Sequence, residues 1–343
     1  MAYTTINKST EHFNTKLYTG NGSTQSITGV GFQPDLVWFK SRTTTNNHAL
    51  FDVVRGATKW LESNSTDAEQ TYAGGLTSFD SDGFSVGNGS DVNLNSSSQV
   101  AWNWKAAGST ASNSSGSVTS TVSANTTAGF SICSFTQANS GPITIGHGLG
   151  VAPDMIIGKS RGNTSNWQIY HKSLGTGKFI QLNSTAAEQT VANFWGTVNT
   201  SIFTIGSNQI EANQPSVYYC FAEKTGYSKF GSYTGNNNQD GPFIYTGFKP
   251  AFVLFKRSSA VENWSLYDNK RANEYNPTAY GLRPNINNAE SAYGAGGAAG
   301  GIDILSNGFK IREGGTNIND GTYIYMAFGQ SLVGSNNVPC TAR

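Results

Sequence analysis

The side chains that could do chemistry are few. There are four histidines and 21 acidic residues. His48 stands close before Asp52, a pairing that can orient an imidazole for general-base work. His12, His147 and His171 are scattered, and no Ser-His-Asp order or GxSxG elbow surrounds any of them. Asp80, Asp82 and Gly83, in DSDG, look like the opening of a calcium loop. The further oxygen ligands and the closing Glu of such a loop do not follow. Glycoside hydrolysis would need two carboxylates facing one cleft, with Glu62, Asp67, Glu69, Glu188 and Glu290 as the acids to consider. The GGAAGG run has no following GK[ST], so it is not a phosphate loop.

The elements that must position these residues are written three times. GFQPDLVWFKSR at 31–42 returns as GVAPDMIIGKSR at 150–161 and as GFKPAFVLFKRS at 247–258. The copies lie about a hundred residues apart, the size of a small domain. Each has an aromatic-bearing strand before it, beginning at Phe13, Phe130 and Tyr227. Each is followed by NNHALFDVV, SNWQIYHKS or ENWSLYDNK, and each copy closes on VAWNWKA, VYYCFAE or IYMAFGQ. The chain therefore divides into modules at 1–107, 121–225 and 226–343. The Ser/Thr/Gly segment 108–120 has the composition of a linker. So few residues join the second and third modules that these two should be the more rigidly held pair.

Short apolar runs between turn signals, LVWF, MIIG and FVLF, predict a central strand buried on both faces. Lys40, Lys159 and Lys256 close that strand, where a lysine can lay its stem on apolar surface and keep its head in water. Thr66 with Glu69, Thr185 with Glu188, and Asn287 with Glu290 show the spacing of a helix cap, which predicts a short helical turn in each module. The low charge, 13%, and the abundance of Gly, aromatic and β-branched residues predict an all-β fold: three tandem β-sandwich modules with short helical turns.

Comparison between modules sorts the chemical candidates. His48 aligns with Trp167 and Trp264, so its position is one of packing. DSDG aligns with NTSI and LSNG, which makes it a turn before a strand. The recurring glutamates are explained by the cap. No catalytic residue, metal ligand or cofactor set remains. Cys133, Cys220 and Cys340 are odd in number and form no zinc or disulfide pattern. A net charge of +1 without a basic run argues against nucleic acid as a partner. No apolar run is long enough for membrane insertion, and the N-terminus lacks a signal-peptide pattern, which points to synthesis in a cytoplasm. Sugar binding stays open, since aromatic rings stack on sugar faces and amides direct hydrogen bonds. The module-specific candidates for ligand contact are Arg271, Tyr275, Tyr280 and Tyr293, on loop-like stretches of the longer third module. The same residues can instead pack against a neighbouring module or subunit.

The long phrases GFQPDLVWFKSR, FDVVRGATKWLESNST, LTSFDSDGFSVGN, VSANTTAGFSICSFT, GHGLGVAPDMIIGKSR, GYSKFGSYTGN, LSNGFKI and GTYIYMAFGQSLVGSNNVPCTAR resemble virion structural proteins of tailed bacteriophages, marine ones especially, which are tail-fibre-like; the resemblance implies lectin-like β-sandwich modules of jelly-roll or concanavalin-like type. The resemblance spans nearly the whole chain. It implies a non-enzymatic role in the virion, as a tail fibre, spike or other appendage contacting host surface glycans. Other virion proteins would be its partners, a homo-oligomer its state, with a trimer the usual number, and no cofactor would be needed. A head- or tail-decorating protein without receptor contact is the alternative; a polysaccharide-degrading enzyme on the same scaffold is a third. The chain lacks the heptads or repeats of a fibre shaft, which favours a compact appendage.

Overall fold

The computed structural model describes residues 4–138, 141–207, 209–271, 276–292, 300–315 and 317–331. These form antiparallel sheets almost throughout, with one turn of 3-10 helix at Ser9–Glu11 and one of α-helix at Ser90–Asn93. The all-β sandwich expected from composition is the fold. Each repeat has a large sheet and a three-stranded sheet facing it. In the large sheets the central strand carries the recurring phrase: Leu36–Ser41, Met155–Ser160 and Phe248–Arg257. Each is flanked by the closing strand of its own repeat, Ser98–Trp104, Pro215–Phe221 or Thr322–Ser331, and by a hairpin partner, Ala49–Asp52, Gln168–His171 or Trp264–Asp268.

The apolar runs are continuous because both faces are covered. Side chains alternate across a strand. Val37 and Phe39 enter the first repeat's own sandwich core with Phe51 and Phe84. Leu36 and Trp38 point the other way, into a core shared by all three repeats. Trp38, Ile157 and Leu254 are buried at matching places there, each paired across one strand with Trp102, Tyr219 or Met326, and across the other with Leu50, Ile169 or Leu266. At the centre the last aromatic residues of the three closing strands meet. Trp104, Phe221 and Phe328 form a triangle with ring centroids 6.4, 5.9 and 5.8 Å apart.

The repeats close into a ring through three equivalent backbone bonds. Glu69 N donates to Arg161 O, Glu188 N to Ser258 O and Glu290 N to Arg42 O, each at 2.8–2.9 Å. First therefore holds second, second holds third, and third holds first. The expectation of a tighter second–third pair is replaced by a ring in which all three pairs touch. Three features depart from the sequence reading. Residues 66–69, 185–188 and 287–290 are not helical; their backbone groups bond to the neighbouring repeat instead. The three strand-end lysines do not reach water. Segment 108–120 is not a free linker: Ala111–Asn113 pairs with Ser120–Asn125, and Ser117 and Val118 bond to Thr144 of the second repeat's small sheet.

Candidate functional site

The strongest ionic groups sit at the junctions between repeats. Asp52 accepts from the amides of Val54 and Arg55, from Arg55 Nε, and from the Tyr219 hydroxyl of the second repeat. Arg55 continues to Leu50 O and Glu69, and Glu69 receives Nε and Nη2 of Arg161 at 2.9 and 2.7 Å. The third–first junction repeats the motif. Asp268 accepts from Lys270 N, Arg271 N, Arg271 Nε and Trp102 Nε1, while Glu290 binds Arg271 and Arg42. Burial alone would push the Asp268 carboxyl up, but the Arg271 charge and hydrogen bonds hold it below its ordinary value. At the second–third junction the acid is replaced by His171, whose Nε2 bonds Tyr325 O at 3.1 Å and whose Nδ1 accepts from Ser173 N. Burial lowers it to about 4, which keeps it neutral.

Two of the three lysines bond across the same seams. Lys159 Nζ donates to Thr66 O of the first repeat and to Ser165 O; Lys256 Nζ donates to Thr185 O of the second. Lys40 Nζ donates to Ser41 O and Thr44 O. All three are buried, and burial brings each to about 8. The stems reach far enough for the heads to find carbonyls before water, so the reading of a solvated head is corrected.

His48 occupies the site of Trp167 and Trp264. Those indoles donate to the neighbouring repeat, to Glu62 O and Gln181 O. His48 accepts from Trp38 Nε1 at 3.1 Å and faces the backbone of Arg283, the third-repeat counterpart of Glu62 and Gln181; burial lowers its pKa well below the ordinary value. Asp82 ends the hairpin turn after Leu76–Asp80 and accepts from the amides of Gly29 and Gly31, a turn role. Among the described residues no cluster of three metal-ligating side chains occurs.

Of the four ligand candidates, Tyr275 and Tyr293 lie outside the described residues. Arg271 is not on a surface loop. Its side chain is sealed against Asp268, Glu290 and the Trp102 ring, so its guanidinium is spent on the junction and a ligand role for it is corrected. Tyr280 is exposed on Tyr280–Gly281.

A different surface of the third repeat stands out. In the three small sheets, equivalent edge strands are Gln25–Thr28, Ile143–Gly146 and Phe243–Tyr245. Register places Ser26, Thr144 and Phe243 at one outward position and Thr28, Gly146 and Tyr245 at the next. Two small or hydroxyl residues thus become two rings, 45% and 57% exposed. Phe243 leans over Gly308, where a Cβ would come within 2.9 Å of its ring. Beside it Lys310, paired across from Phe243, meets Asp240 at 2.8 Å, and Arg312 meets Asp303 at 2.8 Å. The Lys310 bond keeps Asp240 below its ordinary pKa. Gln239, Asp240, Pro277 and Arg312 line an open depression of about 350 Å³. The assembly offers two apolar ring faces bordered by fixed charges and amides, a surface for stacking and directed hydrogen bonds. Sequence reasoning missed it, although the signal was present: FIY against SIT and TIG shows two outward substitutions around an inward Ile.

No curated protein and no solved structure matches the chain. One family model, described as a domain of unknown function (DUF7483), matches residues 8–331. That span takes in all three repeats, both ionic junctions and the aromatic edge. The chain belongs to the DUF7483 family.

Proposed function

We propose that the chain is a structural protein of a tailed-phage virion, a compact tail fibre tip or spike, which contacts host surface glycans through the outer face of the third repeat's small sheet. The observation that carries the contact is the exchange of Ser26/Thr28 and Thr144/Gly146 for Phe243/Tyr245 at equivalent outward positions. Among the described residues the two rings keep about half their surface open to solvent, and sugar rings stack on such faces. The virion assignment is supported by the resemblance of the long phrases and by the ring closure, which packs three sandwiches on one core. Buried carboxylates and guanidinia are consumed by one another at the junctions, which supports a binding role over a catalytic one. Binding by stacking and hydrogen bonds is little screened by salt, and many copies on one particle gain by avidity.

The test is a glycan array and a host-cell adsorption assay with the purified protein and with the Phe243→Ala/Tyr245→Ala variant. We expect binding by the native protein and a loss of roughly tenfold or more in the variant. If the native protein binds no glycan or host cell yet assembles on particles, it is a decorating protein. Release of reducing sugar from host polysaccharide would make it an enzyme.

A further inference from the structure

The second repeat has a pocket beside a position where the other two carry a phenyl ring. The central strands of the first and third repeats place Phe39 and Phe255 at the position held by Gly158 in the second, and both rings are buried in their sandwich cores. Opposite Gly158 stands Tyr218, opposite Phe255 stands Tyr325 and opposite Phe39 stands Ala101. The second repeat thus shares the neighbouring-strand ring of the third and lacks the central-strand ring of both. Tyr218 now packs on Phe203 at 5.4 Å, much as Phe39 packs on Phe84 at 5.0 Å. Its ring lies so close to Gly158 that a Cβ there would meet it at 2.1 Å. Beside that ring a pocket of about 170 Å³ remains, bounded by Gly158, Tyr218, Gln168, the loop through Asn163 and Asn166, and Gln209.

Its chemistry is specific. Gln168 lines the pocket, and its Oε1, shielded from water, accepts no hydrogen bond; an unmet buried acceptor is costly, and a turn of the side chain towards the pocket would give it a donor. Asn163 and Asn166 spend their side-chain oxygens on Ser160 Oγ and Asn183 Nδ2, so the groups they have left are NH₂ donors. Glu211 adds an acceptor on the exposed rim. Lys159 also borders the pocket, but its three donors go to Thr66 O, Ser165 O and Ser165 Oγ. The pocket therefore presents no free cation, and its one carboxylate disfavours anions. The loop is pinned from behind, because Ser165 N donates to Thr66 O of the first repeat, so the site is preorganised. We infer that this pocket binds one neutral polyhydroxylated ring, a saccharide residue, with Tyr218 at its base and Gln168 receiving a sugar hydroxyl. Adjacent hydroxyls each donate and accept, which matches alternating amide NH₂ groups and carbonyl oxygens. The volume is below the ~300–1,000 Å³ of drug-sized sites and suits a single ring.

The site stands on its own geometry and not on the aromatic edge of the third repeat. The experiment is an NMR titration of the full chain with methyl glucoside, methyl galactoside and methyl N-acetylglucosaminide, with glucuronate as the anionic probe. We expect at least one methyl glycoside to bind with a Kd of ~1–10 mM, the range for about a dozen heavy atoms. Gln168→Ala should weaken it about fivefold or more without lowering the melting temperature, and Phe243→Ala/Tyr245→Ala should leave it unchanged. Absence of binding by all three glycosides overturns the proposal. So does binding that is indifferent to both Gln168→Ala and Gln209→Ala, or tighter binding of glucuronate than of glucoside. If the Phe243→Ala/Tyr245→Ala variant loses host glycan but keeps the monosaccharide, the two surfaces are independent.

Discussion

The Tyr219 hydroxyl of the second repeat donates to Asp52 Oδ2 of the first at 2.8 Å. One step round the ring, at the equivalent strand position, Trp102 Nε1 of the first repeat donates to Asp268 Oδ2 of the third at 2.9 Å. At the remaining step the donor is Met326, which has no proton to give, and the acceptor is His171. Donor and acid are lost together. Leu174 and Ser258 replace the two arginines there as well, and Glu188, the one carboxylate left, pairs with Lys178 instead. This is the behaviour expected of buried charge, where leaving one partner unpaired costs more than removing both.

Breaking one of these clusters should therefore cost far more than breaking a surface pair. Glu69→Ala strips Arg161 and Arg55 of a shared carboxylate at a junction where Arg55 is sealed. We expect a loss of ~3–5 kcal/mol. Tyr219→Phe should cost ~1.5–3 kcal/mol, the value of a hydrogen bond to a charged group. Glu188→Ala removes only the partner of the half-exposed Lys178 and should cost about 1 kcal/mol or less. Urea midpoints of the three variants give the ranking; equal losses for Glu69→Ala and Glu188→Ala would show the junction clusters to be idle.

The shared core predicts one cooperative unit. Trp104, Phe221 and Phe328 bury one another across repeat boundaries, and a repeat alone would expose its share of that surface. We expect the full chain to unfold in a single transition by calorimetry. Separately expressed segments 1–107, 121–225 and 226–343 should lack dispersed NMR spectra. Trp104→Ala should cost ~3–5 kcal/mol. A segment that folds alone, with its own sharp transition, would show the repeats to be beads on a chain.

Periodicity made the strands legible, because burial on both faces leaves an apolar run that can be read locally. Trp38, Ile157 and Leu254 follow from that run alone. Ring closure was not legible, since it depends on Glu69 meeting Arg161 and Glu290 meeting Arg42 across long separations. The same blindness produced the helical-turn reading of Thr66–Glu69: a cap and an inter-repeat strap use the same residue types at the same spacing. Arg271 looked like a loop residue because its partners Trp102 and Arg42 lie in another repeat. Phe243 and Tyr245 were readable in principle, once equivalent edge strands are compared for their outward positions only.

Acid should act through His171. Its folded value, about 4, lies below the ordinary 6.5 because the ring is buried. Protonating Nδ1 would also remove the acceptor for Ser173 N. Between 6.5 and 4 the unfolded chain binds a proton that the folded chain does not. The contribution is thus fully present above 6.5 and is lost as pH falls towards 4, by roughly 3 kcal/mol in all. His48 acts in the same direction, while Asp35 and Glu62, raised by burial to about 6 and about 7, act in the opposite one. The difference between the native protein and His171→Gln isolates the effect. We expect the variant to gain on the native protein progressively below pH 6.5 and to run parallel to it above. Parallel curves down to pH 4 would mean that this imidazole titrates normally.

The Gly158–Tyr218 pair offers a test in which two damaging changes should repair each other. Gly158→Phe alone drives a side chain into the Tyr218 ring, which already lies 2.1 Å from where a Cβ would stand; overpacking of this kind costs ~1–3 kcal/mol or more. Tyr218→Ala alone removes a buried ring that touches Phe135, Trp195 and Phe203, a loss of ~3–5 kcal/mol. The double variant recreates the Phe39–Ala101 arrangement of the first repeat. It should recover at least ~1–2 kcal/mol relative to the sum of the singles, the coupling expected of residues in contact. It should also close the pocket and abolish saccharide binding while the chain stays folded. Strict additivity in the urea midpoints would mean that the two repeats do not use one ring in two equivalent places.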